Sequence, residues 1–459
     1  FVWMPLLLLF VESLFGVRPF GDTGAECGKL QAPASDASGV PQGQEGYSSE
    51  SRSMSPHRPV VFRVVGLGVI YAAFIWSHPP TAYQFSLVLA VVIAWLAIST
   101  RKINGVVLCA AGLIMGLGLA AVYLYPAAKE KDFIATQLIA QLWPYHENYL
   151  LVAHTPFFNV LLNHTWFLNL TIIVLCAGST IISRLHGFPR GVAPRTSSVL
   201  LWVTIGLVAS FMMTAPSQRI GRMIPMIDTG VYPWRMLAIT SLMGALLGGA
   251  VLQSSFEASA FRRALNSRLL AYLAASVTVG SAVFSVLMVI STTYNHELFV
   301  PEPEHFNIAM LPRNVVPLLD YAPDHLDPER IYIPKGVPQA ELRHGAGSFS
   351  VEVWDPEHRE IAANLREPDQ MSVRTFNYPG WAASIDGNPT QINVGRYLGN
   401  IELDVPAGSH KIVLDYLETP TRRWSRVVSS WMAVVAILML GAAALRPPVR
   451  DKNPKGDLS

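Results

Sequence analysis

The chain has 459 residues, a formal net charge of +2, 51% hydrophobic side chains and only 14% charged ones, against roughly 25% charged in ordinary soluble domains. With a mean hydropathy of +0.34, this is the composition of a membrane protein, and the small, unpooled positive charge excludes a nucleic-acid binder. The three cysteines, Cys27, Cys109 and Cys176, show no CxxC spacing and no partner set, which excludes a disulfide framework and a zinc site.

Apolar runs of about 17 to 25 residues predict membrane helices. They fall near 1–16, 60–77, 82–99, 105–125, 166–183, 198–215, 233–252, 269–290 and 427–445, about nine in all. The first lacks the charged n-region and small-residue cleavage site of a secretory signal, so it reads as the end of a membrane helix in a longer protein. Residues 17–58, rich in Gly, Ser, Pro and Gln, read as a disordered cytoplasmic linker. A polytopic domain over 59–290 follows, then a β-rich segment over 291–426, a last helix over 427–445 and a tail over 446–459.

Basic residues sort by side. Arg52 and Arg58, Arg101 and Lys102, Arg184, Arg190 and Arg195, Arg262, Arg263 and Arg268, and Arg446, Arg450, Lys452 and Lys455 all fall on one face. By the positive-inside rule that face is cytoplasmic, which places 291–426 and any activity on the extracytoplasmic side of a cell membrane. Within 291–426 the pattern changes to alternation. Ile401, Leu403 and Val405 oppose Glu402 and Asp404, and after Pro406-Ala407-Gly408-Ser409 the alternation resumes with Ile412, Leu414 and Tyr416, predicting a hairpin. Asp386-Gly387 predicts a second one. With strands near 348–354 and 371–377, the segment reads as a small antiparallel sandwich.

The run Tyr232-Pro233-Trp234-Arg235 opens the helix near 233–252, with Arg219 and Arg222 shortly before it. Cations at bilayer depth are kept mainly where they face a cavity or an anion. Pro233 is suited to the first helical position, where free amides also favour an anion. Two readings stand: a phosphate-sized anion site, or an aromatic and basic anchor that fixes helix depth. Glu130, Asp132, His146 and Glu147 are the candidates for a general base or a cation-linked carboxylate. Glu130 lies between Lys129 and Lys131 and is equally a solvated charge cluster. His78 ends a helix before Pro79-Pro80 and is read as a boundary residue, and Asp228 is read as a partner of Arg222. Asn163 and Asn169 each begin a glycosylation sequon, a match short enough to arise by chance. GxGxxG, Walker, HExxH and suitably placed GxSxG motifs are missing from the sequence, so a donor drawn from the membrane fits better than cytosolic nucleotide.

Several stretches together resemble a known family. Tyr232-Pro233-Trp234-Arg235, then Tyr378-Pro379-Gly380-Trp381, Asp386-Gly387 and Val405-Pro406-Ala407-Gly408-Ser409-His410 are similar to motifs of the 6-pyruvoyl-tetrahydropterin synthase-related and YfhO-like bacterial membrane proteins. Ser77-His78-Pro79-Pro80-Thr81 and Tyr125-Pro126-Ala127-Ala128-Lys129-Glu130-Lys131 resemble two more of their elements, in order from about residue 60 to 445. The resemblance implies a GT-C-like glycosyltransferase using a polyprenyl-phosphate sugar donor and an envelope glycan acceptor. In it Arg235, assisted by Arg219 and Arg222, would hold the donor phosphate, and Trp381 and Tyr378 would stack on glycan. It implies no organic cofactor, though a divalent cation is compatible. Its catalytic carboxylate usually lies in an early outer loop that has no counterpart here. The alternative is a non-enzymatic transporter or scaffold in envelope glycan biogenesis.

Overall fold

The computed structural model describes residues 3–16, 57–133, 149–151, 156–185, 196–224, 232–257, five positions between 276 and 287, 339–345, 347–395 and 399–445. The predicted linker up to residue 56, the predicted helix at 269–290 apart from those five positions, and the tail after 445 lie outside them, whereas His57 and Arg58, expected to end the linker, open a helix. The described chain is mainly helical, with two small antiparallel sheets near the C-terminus. Among the described residues, Val60–Ser77, Pro79–Thr100 and Pro420–Leu445 are long and apolar enough to cross a membrane, and a bent pair makes a fourth span if counted as one. Several such helices mark a multi-pass membrane protein.

The first helical group contains α1 (Trp3–Leu14), α2 (His57–Ser77), α3 (Pro79–Thr100), α4 (Ile103–Leu119) and α5 (Ala121–Lys129). The α2–α3 turn is fixed locally. Pro79 and Pro80 occupy positions whose N–H groups would be orphaned anyway, and the His78 ring nitrogen Nδ1 accepts from Thr81 N–H at 3.2 Å. Helices α2 and α4 approach almost backbone to backbone. A Cβ at Gly116 would sit 2.8 Å from Gly68 O, and one at Gly112 would sit 3.0 Å from Val64 O. Gly112 and Gly116 form a small-xxx-small ridge, the packing that works where surrounding lipid is as apolar as the helices.

The single helix expected over 105–125 is two. Helix α4 ends at Leu119, and α5 leaves at 68° to it. The last helix, numbered α10 in the whole chain (Pro420–Leu445), closes the break. Ser429 Oγ accepts from Val122 N–H at 2.8 Å and donates to Gly118 O at 3.1 Å. A break inside hydrocarbon persists only where a neighbour satisfies the freed backbone groups.

The second group comprises α6 (Pro156–Leu185), α7 (Thr196–Met212), the short α8 (Gln218–Gly221) and α9 (Leu237–Glu257). Helix α7 packs against α6 and α9, which also pack against each other. Helix α9 begins four residues later than Pro233, because Pro233–Met236 forms a 3-10 turn ahead of it. That turn touches both α3 and α7 and joins the two groups.

Among the described residues the β unit has nine strands: β1 (Ala340–Leu342), β2 (Gly347–Trp354), β3 (His358–Leu365), β4 (Asp369–Phe376), β5 (Trp381–Ile385), β6 (Asn388–Thr390), β7 (Asn393–Val394), β8 (Asn400–Val405) and β9 (Gly408–Tyr416). Their orders are β1-β4-β8-β7 and β2-β3-β9-β5-β6. Met371, Leu403 and Val405 of the first sheet share one core with Ile361, Ile412 and Leu414 of the second. The hairpin at Asp386-Gly387 is present, pairing Ile385 with Asn388 through two residues of positive φ. The hairpin expected across Pro406–Ser409 is not formed: β8 pairs with β4 and β7, whereas β9 pairs with β3 and β5. The turn crosses from one sheet to the other, and alternation cannot separate the cases because both strands bury alternate residues either way.

Candidate functional site

Arg235 lies in the 3-10 turn, half-buried, with its guanidinium carbon 5.0 Å from the Tyr232 ring centre and 5.5 Å from that of Trp234. The two rings stack on each other, 5.9 Å apart and within 9° of parallel. Pro233 sets this geometry, since the extended Tyr232 before it and the tight turn after it bring residues two apart onto one side. A guanidinium beside two aromatic faces gains cation–π attraction from both rings.

The charge of Arg235 is felt by His78. Burial first and the Arg235 charge second hold this ring below its ordinary pKa, so it is neutral near pH 7. Because Nδ1 accepts from Thr81, the neutral ring carries its proton on Nε2 and is itself a donor. The residue read as a boundary is thus also within electrostatic reach of the arginine. Arg219 and Arg222 are exposed on and just after α8, which follows α7 through the 3-10 turn Ala215–Ser217.

Glu130 is elsewhere and engaged. Thr419 Oγ1 donates to its Oε1 at 2.8 Å and Arg422 Nη2 to its Oε2 at 3.0 Å, tying the end of α5 to the start of α10. Arg422 also covers the Tyr416 ring at 4.8 Å, so the joint reaches the last strand of the β unit. A carboxylate with both oxygens bound to cationic and hydroxyl donors is a strut rather than a base. His146, Glu147 and Asp228 lie outside the described residues.

Trp381 and Tyr378 sit at the same end of the β unit. Gly380 between them has φ +115°, and a Cβ there would meet Leu417 O at 2.6 Å, which only glycine tolerates. Trp381 packs against Tyr416 at 5.2 Å and against the Arg359 guanidinium at 4.5 Å, which also lies 4.5 Å from Trp354. Part of the Trp381 surface is therefore spent on packing. Of the two sequons, Asn163 accepts from Leu151 N–H, and Asn169 is buried with its amide donated to Ser241 and Thr240, leaving no room for a glycan.

Sequence reasoning passed over three further residues. Gln84, Trp166 and Ser210 are buried, and their side-chain polar atoms have no hydrogen-bond partner among the described residues. The signal for Gln84 was available as a lone amide in an apolar 22-residue helix. Among the described residues no three His, Cys, Asp or Glu come together as a metal cluster. Comparison with protein-family models, curated proteins and solved structures finds no match, so the functional reading rests on the chemistry of the site itself.

Proposed function

We propose that the protein is a GT-C-like membrane glycosyltransferase that takes a sugar from a polyprenyl-phosphate donor at the extracytoplasmic face and passes it to an envelope glycan, lipid or protein. The observation that carries this reading is Arg235 against the Tyr232 and Trp234 rings at the head of an apolar helix, with its charge felt by His78. A phosphate at a lipid headgroup is the anion that meets an arginine at this depth. The resemblance of the motifs to those of the 6-pyruvoyl-tetrahydropterin synthase-related proteins supports the same reading, along with the nine-helix, positive-inside topology and outer β-sandwich expected from this chain's own sequence.

In the reaction an acceptor hydroxyl attacks the anomeric carbon while the bond from that carbon to the phosphate oxygen breaks. The leaving phosphate gains negative charge, and Arg235, with Arg219 and Arg222, stabilises it. His146 and Glu147 are the remaining candidates to take the acceptor proton, Glu130 being held by Arg422 and Thr419.

One observation favours the transporter alternative, the break between α4 and α5. Transporter breaks expose backbone carbonyls to substrate ions. Here Ser429 occupies both Gly118 O and Val122 N–H, which weakens that reading.

The test is Arg235→Ala and Arg235→Lys in the full-length protein, scored for glycan transfer in membranes. Alanine should abolish transfer and lysine should reduce it at least tenfold, about 1.4 kcal/mol of transition-state binding, with insertion unchanged. Transfer at the parental rate by Arg235→Ala removes the phosphate role.

A further inference from the structure

At one end of the β unit three strands set a row of polar side chains beside two prolines. Arg343 directly follows β1, and its N–H donates to Gln370 O of β4 at 2.9 Å; Gln370 in turn pairs with Asp404 of β8. Residues opposed across a sheet share a face. Arg343, Gln370 and Asp404 therefore stand on the outer face of the first sheet, because Met371 and Leu403, one step along, belong to the core. One step the other way, Asp369 and Val405 turn inward and are buried. Pro368 and Pro406 stand just outside β4 and β8. The trough between the polar row and the prolines is a cleft of about 560 Å³, lined by these residues and by His344. Its volume falls within the range of small-ligand sites.

The polar groups are held from behind. Asp369, its side chain wholly buried, accepts from His344 N–H at 3.1 Å, from Gln370 N–H at 2.8 Å and from His344 Nδ1 at 2.8 Å. A carboxylate only accepts, so Nδ1 carries the proton of that bond, and Nε2 is the outer edge of a ring that is 72% exposed. Arg343 Nη1 donates to Gln370 Oε1, which turns Gln370 into a donor through its amide N–H groups. Asn393 Nδ2 donates to Asp404 Oδ2 at 2.9 Å and fixes that exposed carboxylate. The row thus runs from a cationic donor through an amide to an anionic acceptor, over three strands and about 10 Å.

That order selects a ligand class. Arg343 and Asp404 cancel in charge, so a phosphate meets a carboxylate here and a metal ion meets a guanidinium. An acyl chain pairs with none of the polar atoms. A peptide docks along a strand edge, whereas this row runs across the strands. Sugar hydroxyls both donate and accept, and the C–H faces of the rings suit the apolar surfaces of Pro368 and Pro406. Position agrees with a chain rather than a lipid headgroup. Strand β9 begins at Gly408, beside the cleft, and ends at Tyr416, against Arg422 of α10 and about 27 Å away.

We propose that this cleft is a saccharide subsite, in which Arg343, His344, Gln370 and Asp404 bind the hydroxyls of a short stretch of neutral sugar rings within a glycan chain. Its role as the acceptor-holding site rests on the transferase reading; the binding itself does not. The full-length protein in detergent is titrated with maltotetraose, cellotetraose and tetra-N-acetylchitotetraose, and with tetragalacturonate and tetraglycine, followed by saturation-transfer NMR and calorimetry. At least one neutral tetrasaccharide should bind more tightly than the uronate and the peptide. Asp404→Ala should weaken that binding about tenfold or more, because a charged acceptor is lost, and Gln370→Ala several-fold. Both side chains lie on the sheet surface, so the unfolding temperature should not move. Arg235→Ala should leave saccharide binding as it is in the parent.

Failure of every neutral tetrasaccharide to bind, tighter binding of the uronate or the peptide, or binding that survives either cleft substitution overturns the subsite. Loss of binding in Arg235→Ala assigns the sugar to the helical region and overturns it too. Asp404-dependent binding in a full-length protein that transfers no glycan leaves the subsite standing and removes the transferase reading.

Discussion

The helical region and the β unit solve opposite packing problems. In the β unit Leu403, Ile401, Ile412 and Leu414 are wholly buried, while the outer face carries ion pairs such as Lys411–Glu360 and His410–Asp386. Burial itself drives that fold. In the helical region Val107, Ile114 and Leu117 of α4 are exposed although apolar, and so are Trp424, Trp431 and Ile437 of α10. Hydrophobicity there does not distinguish inside from outside, and close contact at Gly68, Gly112 and Gly116 does so instead. The same apolar residue thus means core in one region and lipid in the other.

Substitutions that act on one region alone test this contrast. The largest expected effect is Leu403→Ala, which opens a cavity in the shared core and should cost about 2–5 kcal/mol. Hydrogen exchange on the full-length protein should show protection lost across β3, β4, β8 and β9 and retained in α2 and α4. Gly116→Ala comes next, since its methyl would press on Gly68 O and should cost about 1–3 kcal/mol. Its exchange pattern should be the reverse. Loss of protection in both regions from either variant would mean that they unfold as one unit.

The smallest effect is electrostatic. His358, hydrogen-bonded to Asp415 and Glu360, and His410, hydrogen-bonded to Asp386, are held above the ordinary histidine pKa. Each contributes stability that is complete below about pH 6.5 and is lost as pH rises through the raised value. Asp386 is held below its ordinary pKa by His410 and by Lys411 N–H, so its contribution is present above about pH 4 and lost as pH falls through the lowered value. The β unit should therefore be most stable between about pH 4 and 6.5. Imidazole NMR titration should place both histidines above the ordinary value, and His410→Gln should flatten the alkaline limb. Ordinary values for both rings would refute the paired geometry.

Much of this was legible in the sequence where a single property decides the outcome. Length and apolarity suffice for a span, so α2, α3 and α10 stand close to their expected places. Alternation and an Asp-Gly pair suffice for β2, β4 and the β5–β6 hairpin. What depends on a distant partner was not legible. Nothing local to Ala120 announces a bend, because the residue that completes it is Ser429. Alternation through β8 and β9 gives their faces but not their neighbours, so a crossing between sheets resembled a hairpin. At the site, Arg235 stood out because a cation in an apolar helix is conspicuous. Glu130 drew notice for its charge, yet its role was decided by Arg422, 292 residues away.

The Ser429 clip also bears on how the protein is made. Val122 N–H waits for an acceptor 307 residues further along the chain. During synthesis α4 and α5 enter the membrane long before α10 exists, and over that interval the backbone at the bend lacks its final partner. The bend settles only when the last helix arrives, so a ribosome stopping short of residue 429 would leave a defect in the first helical group, far from the missing end. Quality-control proteases that recognise unpaired backbone in the bilayer would have their substrate there.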